Sequence, residues 1–380
     1  MARTLKSDKT LFLATMILVG VSVVMVYSAS AVQALDTPRG PYFYLLKQIA
    51  WVTLGVTLML GAMRVDYHEY RRPRLIWALL GLTTAALLLV FLFAPINGTR
   101  RWLSLGLLSI QPSELAKLVA ILFTAAVLER RMHRINDIAW AVVPIAVVTV
   151  GMATLIVKEP DFGTASVLVI VVTAVVFAAG LNYRYLLGTL LVLAPSALVL
   201  IMTSDYRRER LLAFLDPLHD PLGKSYQLNQ SLIALGSGGA LGKGIMAGVQ
   251  KIFYIPEAPS DFIYAVVGEE LGLIGTTVIL VAFLVIAWRG LRTALTAPDR
   301  FGTLMALGLT TMVAVQALVN MSVVIGLLPT KGIPLPFVSN GGSSLVMNLV
   351  AIGILLNISQ QASPVAASSV RSPVAELVNV

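Results

Sequence analysis

The sequence predicts an all-α integral membrane protein of about ten transmembrane helices, with both termini cytoplasmic and a large extracytoplasmic loop between spans 7 and 8. Composition is the first ground. Of the 380 residues, 57% are hydrophobic and only 12% charged, roughly half the charged share of a soluble domain. Disordered chains are poor in apolar side chains, so that class is excluded as well. The second ground is segmentation: apolar residues gather in windows of about 20, the length that crosses the hydrocarbon layer. These windows run over 10–32, 45–63, 75–94, 113–128, 138–157, 162–180, 185–203, 262–287, 301–326 and 342–358. A single membrane domain over 1–358 follows, with 204–260 as its large loop and a Ser/Ala/Val-rich, flexible tail over 359–380.

The first window exceeds the apolar stretch of a cleaved leader and is followed by further spans, so it is read as a helix. Ten spans place both ends on one side, and basic residues choose the side. With the N-terminus inside, fifteen Lys and Arg fall in short inner loops and tails, against seven in short outer segments and helix ends. Six more lie in 204–260, where a long loop has little say in orientation. The formal charge of +9 would suggest nucleic acid in a soluble chain; here basic loops meet anionic lipid, and no nucleic-acid partner is expected. The chain has no cysteine, which removes disulfides, thiolate metal sites and thiol nucleophiles. His68, His133 and His219 are too scattered to suggest a metal cluster.

The outer segments 95–112, 204–260 and 327–341 are long, rich in Gly and Pro, and dotted with ionisable groups; loops carry function more often than spans. Arg100 and Arg101 in NGTRRW are either interfacial anchors beside Trp102 or a phosphate-binding pair. Glu114 and Lys117 open the fourth span in QPSELAKL, three residues apart on one helical face. Glu114 serves equally as a first-turn residue behind Ser113. Lys117 has no capping role, and an ionisable group inside an apolar run is functional by default. Lys158, Glu159 and Asp161 join two spans around Pro160, as a solvated turn or as part of a site.

GSGGALGKG at 236–244 fails as a nucleotide-phosphate loop, because Gly244 follows Gly-Lys where Ser or Thr is required; a flexible hinge or a headgroup cradle is left. The densest candidate is YIPEAPSDFIYAVVGEELG at 254–272. Asp261 stands at the outer mouth of the eighth span, partly desolvated, where a carboxylate can act as a general base. Glu257 reads as loop. Glu269 and Glu270 follow eight and nine residues on, about 12 Å deeper at the helical rise. The segment LLPTKGIPLPFVSNGGSS at 327–344 carries Lys331 and is irregular, which is tolerated at membrane depth where backbone lines a cavity.

Taken together, NGTRRWL, QPSELAKL, EPDFGTAS, YQLNQSLIALGSGGALGKG, PEAPSDFIYAVVGEELG and GIPLPFVSNGGSS, in that order, make the chain resemble the SEDS family (shape, elongation, division and sporulation). The resemblance implies a peptidoglycan glycosyltransferase that polymerises lipid II at the outer face of the bacterial cytoplasmic membrane. Its implied partners are a class B penicillin-binding protein, which cross-links the product, and other cell-division membrane proteins. PTKG at 329–332 resembles the division branch more than the elongation branch. The family's catalytic carboxylate matches Asp261 and its functional cations match Lys117 and Lys331. The motifs add Asp161, Gln227, Gln230, Ser339, Gly341, Gly342 and Ser343 as supporting positions, with Glu257, Glu269 and Glu270. Three positions depart: division members usually carry Glu where Phe253 stands, His where Pro259 stands and Tyr where Asn340 stands. Phe253 puts a second-carboxylate role there in doubt.

Displacing a lipid diphosphate with a sugar hydroxyl asks for one base and for positive charge on the leaving group. Asp261 is the expected base, with Arg100, Arg101, Glu114, Lys117 and Lys331 around the diphosphate. A divalent cation, Mg²⁺ or Mn²⁺, is implied by the resemblance, although no metal motif is spelled. A lipid II flippase is the rival, since buried charges and a broken segment also suit transporters. The ionisable groups concentrate at the outer face and not at the midplane, which favours the polymerase. A scaffold would leave Lys117, Asp261 and 327–344 unexplained.

Overall fold

The computed structural model describes residues 7–362 apart from 36–39, 41, 96–98, 106–107, 217–219, 221–222, 224 and 253. The tail beyond 362, Phe253 and His219 lie outside the described residues. In chain order the helices are α1 (Lys9–Leu35), α2 (Phe43–Arg64), α3 (Pro73–Leu89), α4 (Pro112–Arg131), α5 (Ile138–Ala141), α6 (Val143–Lys158) and α7 (Phe162–Ala178). They continue as α8 (Tyr183–Met202), α9 (Asp205–Leu215), α10 (Tyr226–Gly238), α11 (Ile263–Thr296), α12 (Arg300–Val324) and α13 (Gly342–Gln361). Among the described residues seven are long and apolar enough to cross a membrane: α1, α2, α3, α8, α11, α12 and α13. The chain is therefore an all-helical membrane protein, apart from one small hairpin.

The other three expected spans differ in kind. The window at 138–157 is split into α5 and α6, where Pro144 restarts the helix at its first turn. The window at 162–180 is the 17-residue α7. The window at 113–128 is α4, which carries Glu114, Lys117, Glu129, Arg130 and Arg131 yet is buried along most of its length. It packs against α3, α7 and α12, so its polar groups meet protein instead of lipid. One small hairpin adds to the helical architecture: β1 (Leu103–Leu105) pairs antiparallel with β2 (Leu108–Ile110), Ser104 opposite Ser109. Alternation over so few residues is easily lost in an apolar loop. The stretch 204–260 is not one loop, since α9 and α10 lie within it.

The eighth span is also interrupted. At Gly272 the backbone leaves the helix (φ 65°, ψ −160°), and the glycine-rich stretch takes up the freed groups. Lys243 N and Gly244 N donate to the carbonyls of Glu269 and Glu270 (3.0 and 2.9 Å), while Leu273 N donates to Gly239 O (2.9 Å). At Gly242 (φ 78°) an added Cβ would stand 2.1 Å from Glu270 O, so only glycine allows this approach. Glu269 accepts from Lys243 Nζ (2.8 Å), Val249 N (2.9 Å) and Gln250 N (3.0 Å). Glu270 accepts from Lys251 Nζ (2.5 Å), Ser28 Oγ (2.7 Å) and Met246 N (3.1 Å). The 236–244 stretch is thus anchored and not a free hinge, and its anchors are the backbone carbonyls of Glu269 and Glu270 and the Glu269 carboxylate.

Polar contacts collect at two ends of the bundle. At one, Asp8 pairs with Arg289, Tyr67 donates to Asp299 (2.7 Å), Asn357 accepts from Tyr67 N (2.9 Å) and Arg71 pairs with Glu129 (2.7 Å). The opposite end gathers Arg101, Pro160, Arg210, Asp261 and the 327–341 segment.

Candidate active site

A tight turn brings Asp261 to the start of α11. Ser260 N and Asp261 N both donate to Glu257 O (3.1 and 3.2 Å), and Glu257 takes a left-handed conformation (φ 56°) to close it. The 327–341 segment grips this turn from the other side. Asn320 of α12, buried, donates through Nδ2 to Asp261 O and to Ile333 O, each at 2.8 Å. Ser339 Oγ donates to Ser260 O and accepts from Leu335 N, and Asn340 N donates to Pro259 O (2.9 Å). Gly332 lies over the carboxylate: a Cβ there would be 3.0 Å from Asp261 Oδ2.

Asp261 opens onto a cavity of about 490 Å³, lined also by Tyr44, Arg101, Gln111, Arg210, Glu257 and Gly341. That is the size of a small-ligand site. Burial first, and then the Glu257 carboxylate, pushes Asp261 up to about 7, against the opposing pull of Arg210 and Arg101. A carboxylate poised there is suited to general-base work at neutral pH.

Arg101 is fixed by two carbonyls, Glu159 O (3.2 Å, from Nε) and Pro160 O (2.8 Å, from Nη2). Asp161 caps α7 through Thr164 N (3.1 Å) and Thr164 Oγ1 (2.8 Å) and orients Gln111 Nε2 (2.9 Å) toward the cavity. The Glu159 carboxyl between them is buried with no hydrogen-bond partner among the described residues. Burial, with Asp161 adding to it, pushes it up to about 8, so it is a neutral acid.

A second, narrower cavity adjoins the first and is lined by Arg101, Asp161, Phe162, Arg207, Arg210 and Lys331, among others. Lys331 Nζ sits 4.9 Å from the Phe162 ring centroid, and burial holds its ammonium below the ordinary value.

The remaining candidates lie apart. Glu114 and Lys117 form a buried ion pair (2.8 Å) one turn into α4 and line neither cavity. Arg100 donates to Phe91 O (3.0 Å) on the surface. Gln227 and Gln230 are half-buried on α10, and Glu269 and Glu270 belong to the Gly272 break. Ser343 Oγ accepts from Gln111 N (3.2 Å), and Gly342 lets Trp51 pack where a Cβ would collide at 2.3 Å. The sequence reading missed Asn320, Gln111, Arg207 and Arg210. An amide in an apolar helix was the available signal for Asn320; the three arginines of YRRER were the signal for α9.

No three His, Asp or Glu side chains converge as a metal site among the described residues. Asp261, Glu257 and Asp161 act on one another only through space. A magnesium ion held by one or two carboxylates would draw its remaining ligands from substrate phosphate and water.

The model of the cell cycle protein family of FtsW, RodA and SpoVE matches residues 9–364. The chain belongs to that family. Within it, the chain is 42% identical over 357 residues to the probable peptidoglycan glycosyltransferase FtsW of Geobacter metallireducens, covering 93% of this chain and 94% of the relative. It is 39% identical to stage V sporulation protein E of Bacillus subtilis, covering 93% and 97%. Among solved structures, a chain of a peptidoglycan synthase complex, described for its coordination of polymerization and crosslinking, aligns with TM-score 0.75 at 29% identity, covering 93% of this chain and 98% of that one. The rod shape determining protein RodA of Thermus thermophilus aligns with TM-score 0.69 at 27% identity, covering 94% and 98%. These two structures share the helical architecture described above.

Proposed function

We propose that the chain is a peptidoglycan glycosyltransferase that polymerises lipid II at the outer face of the cytoplasmic membrane, in septal wall synthesis. The end carrying Asp261 faces outward, both termini are cytoplasmic and the chain crosses about ten times. The observation that carries the reading is the Asp261 carboxylate in a ligand-sized cavity beside Arg101 and Arg210, on a turn whose backbone is held by α12 and the 327–341 segment. A hydroxyl of one lipid-linked sugar attacks the anomeric carbon of another. Asp261 takes the hydroxyl proton, and the carbon–oxygen bond to the diphosphate breaks. Arg101 and Lys331 stabilise the negative charge that leaves. The Lys117–Glu114 pair acts from α4, behind Gln111, and not as a direct phosphate ligand.

Mg²⁺ or Mn²⁺, expected from the resemblance, has no cluster of three protein ligands among the described residues, so no step is assigned to it. The division branch is supported by the FtsW relatives and by PTKG at 329–332. A class B penicillin-binding protein and other division proteins are the corresponding partners, and the synthase-complex likeness supports the first.

The test is polymerisation of purified lipid II by the protein co-purified with a transpeptidase-inactive partner, against Asp261→Ala. Long glycan chains are expected from the wild type alone. Failure of both proteins, with labelled lipid II still crossing liposome membranes, would replace the polymerase with a flippase.

A further inference from the structure

One turn beneath the cavity of Asp261, three helices bring polar side chains to one level. α12 runs toward the Asp261 end, where Asn320 reaches Asp261 O; α4 and α13 start there and run away from it. Two contacts fix their register. Gly308 of α12 lies against Ile121 of α4, where an added Cβ would stand 2.6 Å from Ile121 Cγ2. Gln111 N, before α4, donates to Ser343 Oγ in the first turn of α13 (3.2 Å). Counting outward from the first contact puts Ser113 level with Gln316, and counting inward from the second puts Ala116 level with Asn348. Glu114, Lys117, Gln316 and Asn348 therefore share a layer about one helical turn deep.

The layer is buried and does not satisfy itself. Asn348 Nδ2 donates to Ser344 O (2.8 Å), which fixes the orientation of its amide, and reaches Gln316 Oε1 only at 3.4 Å. Among the described residues, Gln316 Nε2, Asn348 Oδ1, Glu114 Oε2 and Ser113 Oγ are buried without hydrogen-bond partners, as is Asn320 Oδ1 one turn outward. An amide pair that merely joined two helices would not leave its best donor and acceptor unused, because such orphans are costly. Lys117 Nζ adds to the count, since it carries three donors and gives one to Glu114 (2.8 Å). The orphans include both donors and acceptors, spread over three helices. Water, which donates and accepts, is the ligand that fits such a set. The layer also has an outlet: Gln111 and Ser344, one turn outward on α4 and α13, both line the cavity of Asp261.

We propose that this layer holds buried water through which Lys117 and Glu114 act on the cavity of Asp261, and that Gln316 and Asn348 are positioning residues that order it. The inference rests on the glycosyltransferase reading and gives the ion pair of α4, which lines neither cavity, its route to the reaction. Gln316 and Asn348 touch no substrate. They hold dipoles in place before the reaction begins, and preorganisation of that kind shows in turnover more than in substrate affinity.

The experiment is lipid II polymerisation by the full-length protein with its transpeptidase-inactive partner, alongside thermal unfolding of the same preparations, for wild type, Q316M/N348L, N348S and D261A. Replacing half-satisfied polar groups by apolar ones of similar size should leave the unfolding temperature unchanged or raise it. Turnover of Q316M/N348L should nevertheless fall about tenfold or more, with KM within about threefold of wild type. N348S, which keeps a hydroxyl in the layer, should retain most of the turnover. If Q316M/N348L does not fold, Q316M alone carries the same expectation. Unchanged turnover in the folded apolar variant overturns the proposal. So does a loss that tracks a lower unfolding temperature or an equal loss in N348S, either of which would mark packing. Loss of polymerisation in D261A beside such a result would leave the glycosyltransferase reading standing; absence of polymerisation from the wild type would remove that reading and this inference with it.

Discussion

The proton affinity of Asp261 is a balance of burial against Arg101 and Arg210, and both sides can be moved. With the group titrating at about 7, the base form is populated above that value. Polymerisation should therefore climb between pH 6 and pH 8 and level off beyond. Arg210→Gln removes a stabilising charge and should move the midpoint upward; an unmoved midpoint in a pH–rate profile would mean that another group titrates. Asp261→Asn should cost roughly 10²–10⁴ in rate, the usual worth of a positioned base. Glu159 gives a stability counterpart. Its folded value of about 8 lies above its ordinary 4.5, so its contribution is full below pH 4.5 and is lost as pH rises through 8, by about 1.4 kcal/mol per unit in between. Glu159→Gln should flatten the thermal stability of the protein over that interval, and a persisting slope would acquit Glu159. Asp261 was legible because a carboxylate at a span mouth has no bland explanation. Asn320 was not, because an uncharged amide within a span ordinarily joins helices, and nothing local announces that it holds two distant carbonyls.

Among the elements, the break in α11 shows where reading along the chain stops. An apolar run passes through Gly272 without proline, and the partner that satisfies the break is 239–250, some thirty residues earlier. Local pattern cannot report a pairing made at that distance. The same holds for α9 and α10, short polar-faced helices inside a stretch that reads as loop. Lys251→Met would strand the fully buried Glu270 and should destabilise the protein by about 3–5 kcal/mol, whereas Lys251→Met with Glu270→Leu should recover much of that loss. Thermal unfolding of the two variants checks this; equal losses would show that the pair contributes packing and no charge complementarity.

For the whole molecule, the seven long apolar helices among the described residues and their order were legible from apolar length alone, because the hydrocarbon layer fixes that length. The polar α4 stood in the right place for a different reason: its charges face protein. Orientation rests on the basic residues and is directly testable in a chain without cysteine. A thiol placed at exposed Arg100 should react with a membrane-impermeant maleimide on intact cells, and one at exposed Arg292 only after permeabilisation. The reverse pattern would invert the topology.

The Ser28–Glu270 contact joins residues 242 positions apart, and Asp8 N donates to Ser359 across 351 positions, while α2 packs along α13. At about 5–20 residues per second of synthesis, α1 resides in the bilayer for roughly 12–50 s before Glu270 exists to receive its serine. The first helices to be made are thus the last to be matched, and a ribosome that stalls before α13 leaves α2 with its packing face open to lipid and to quality-control proteases.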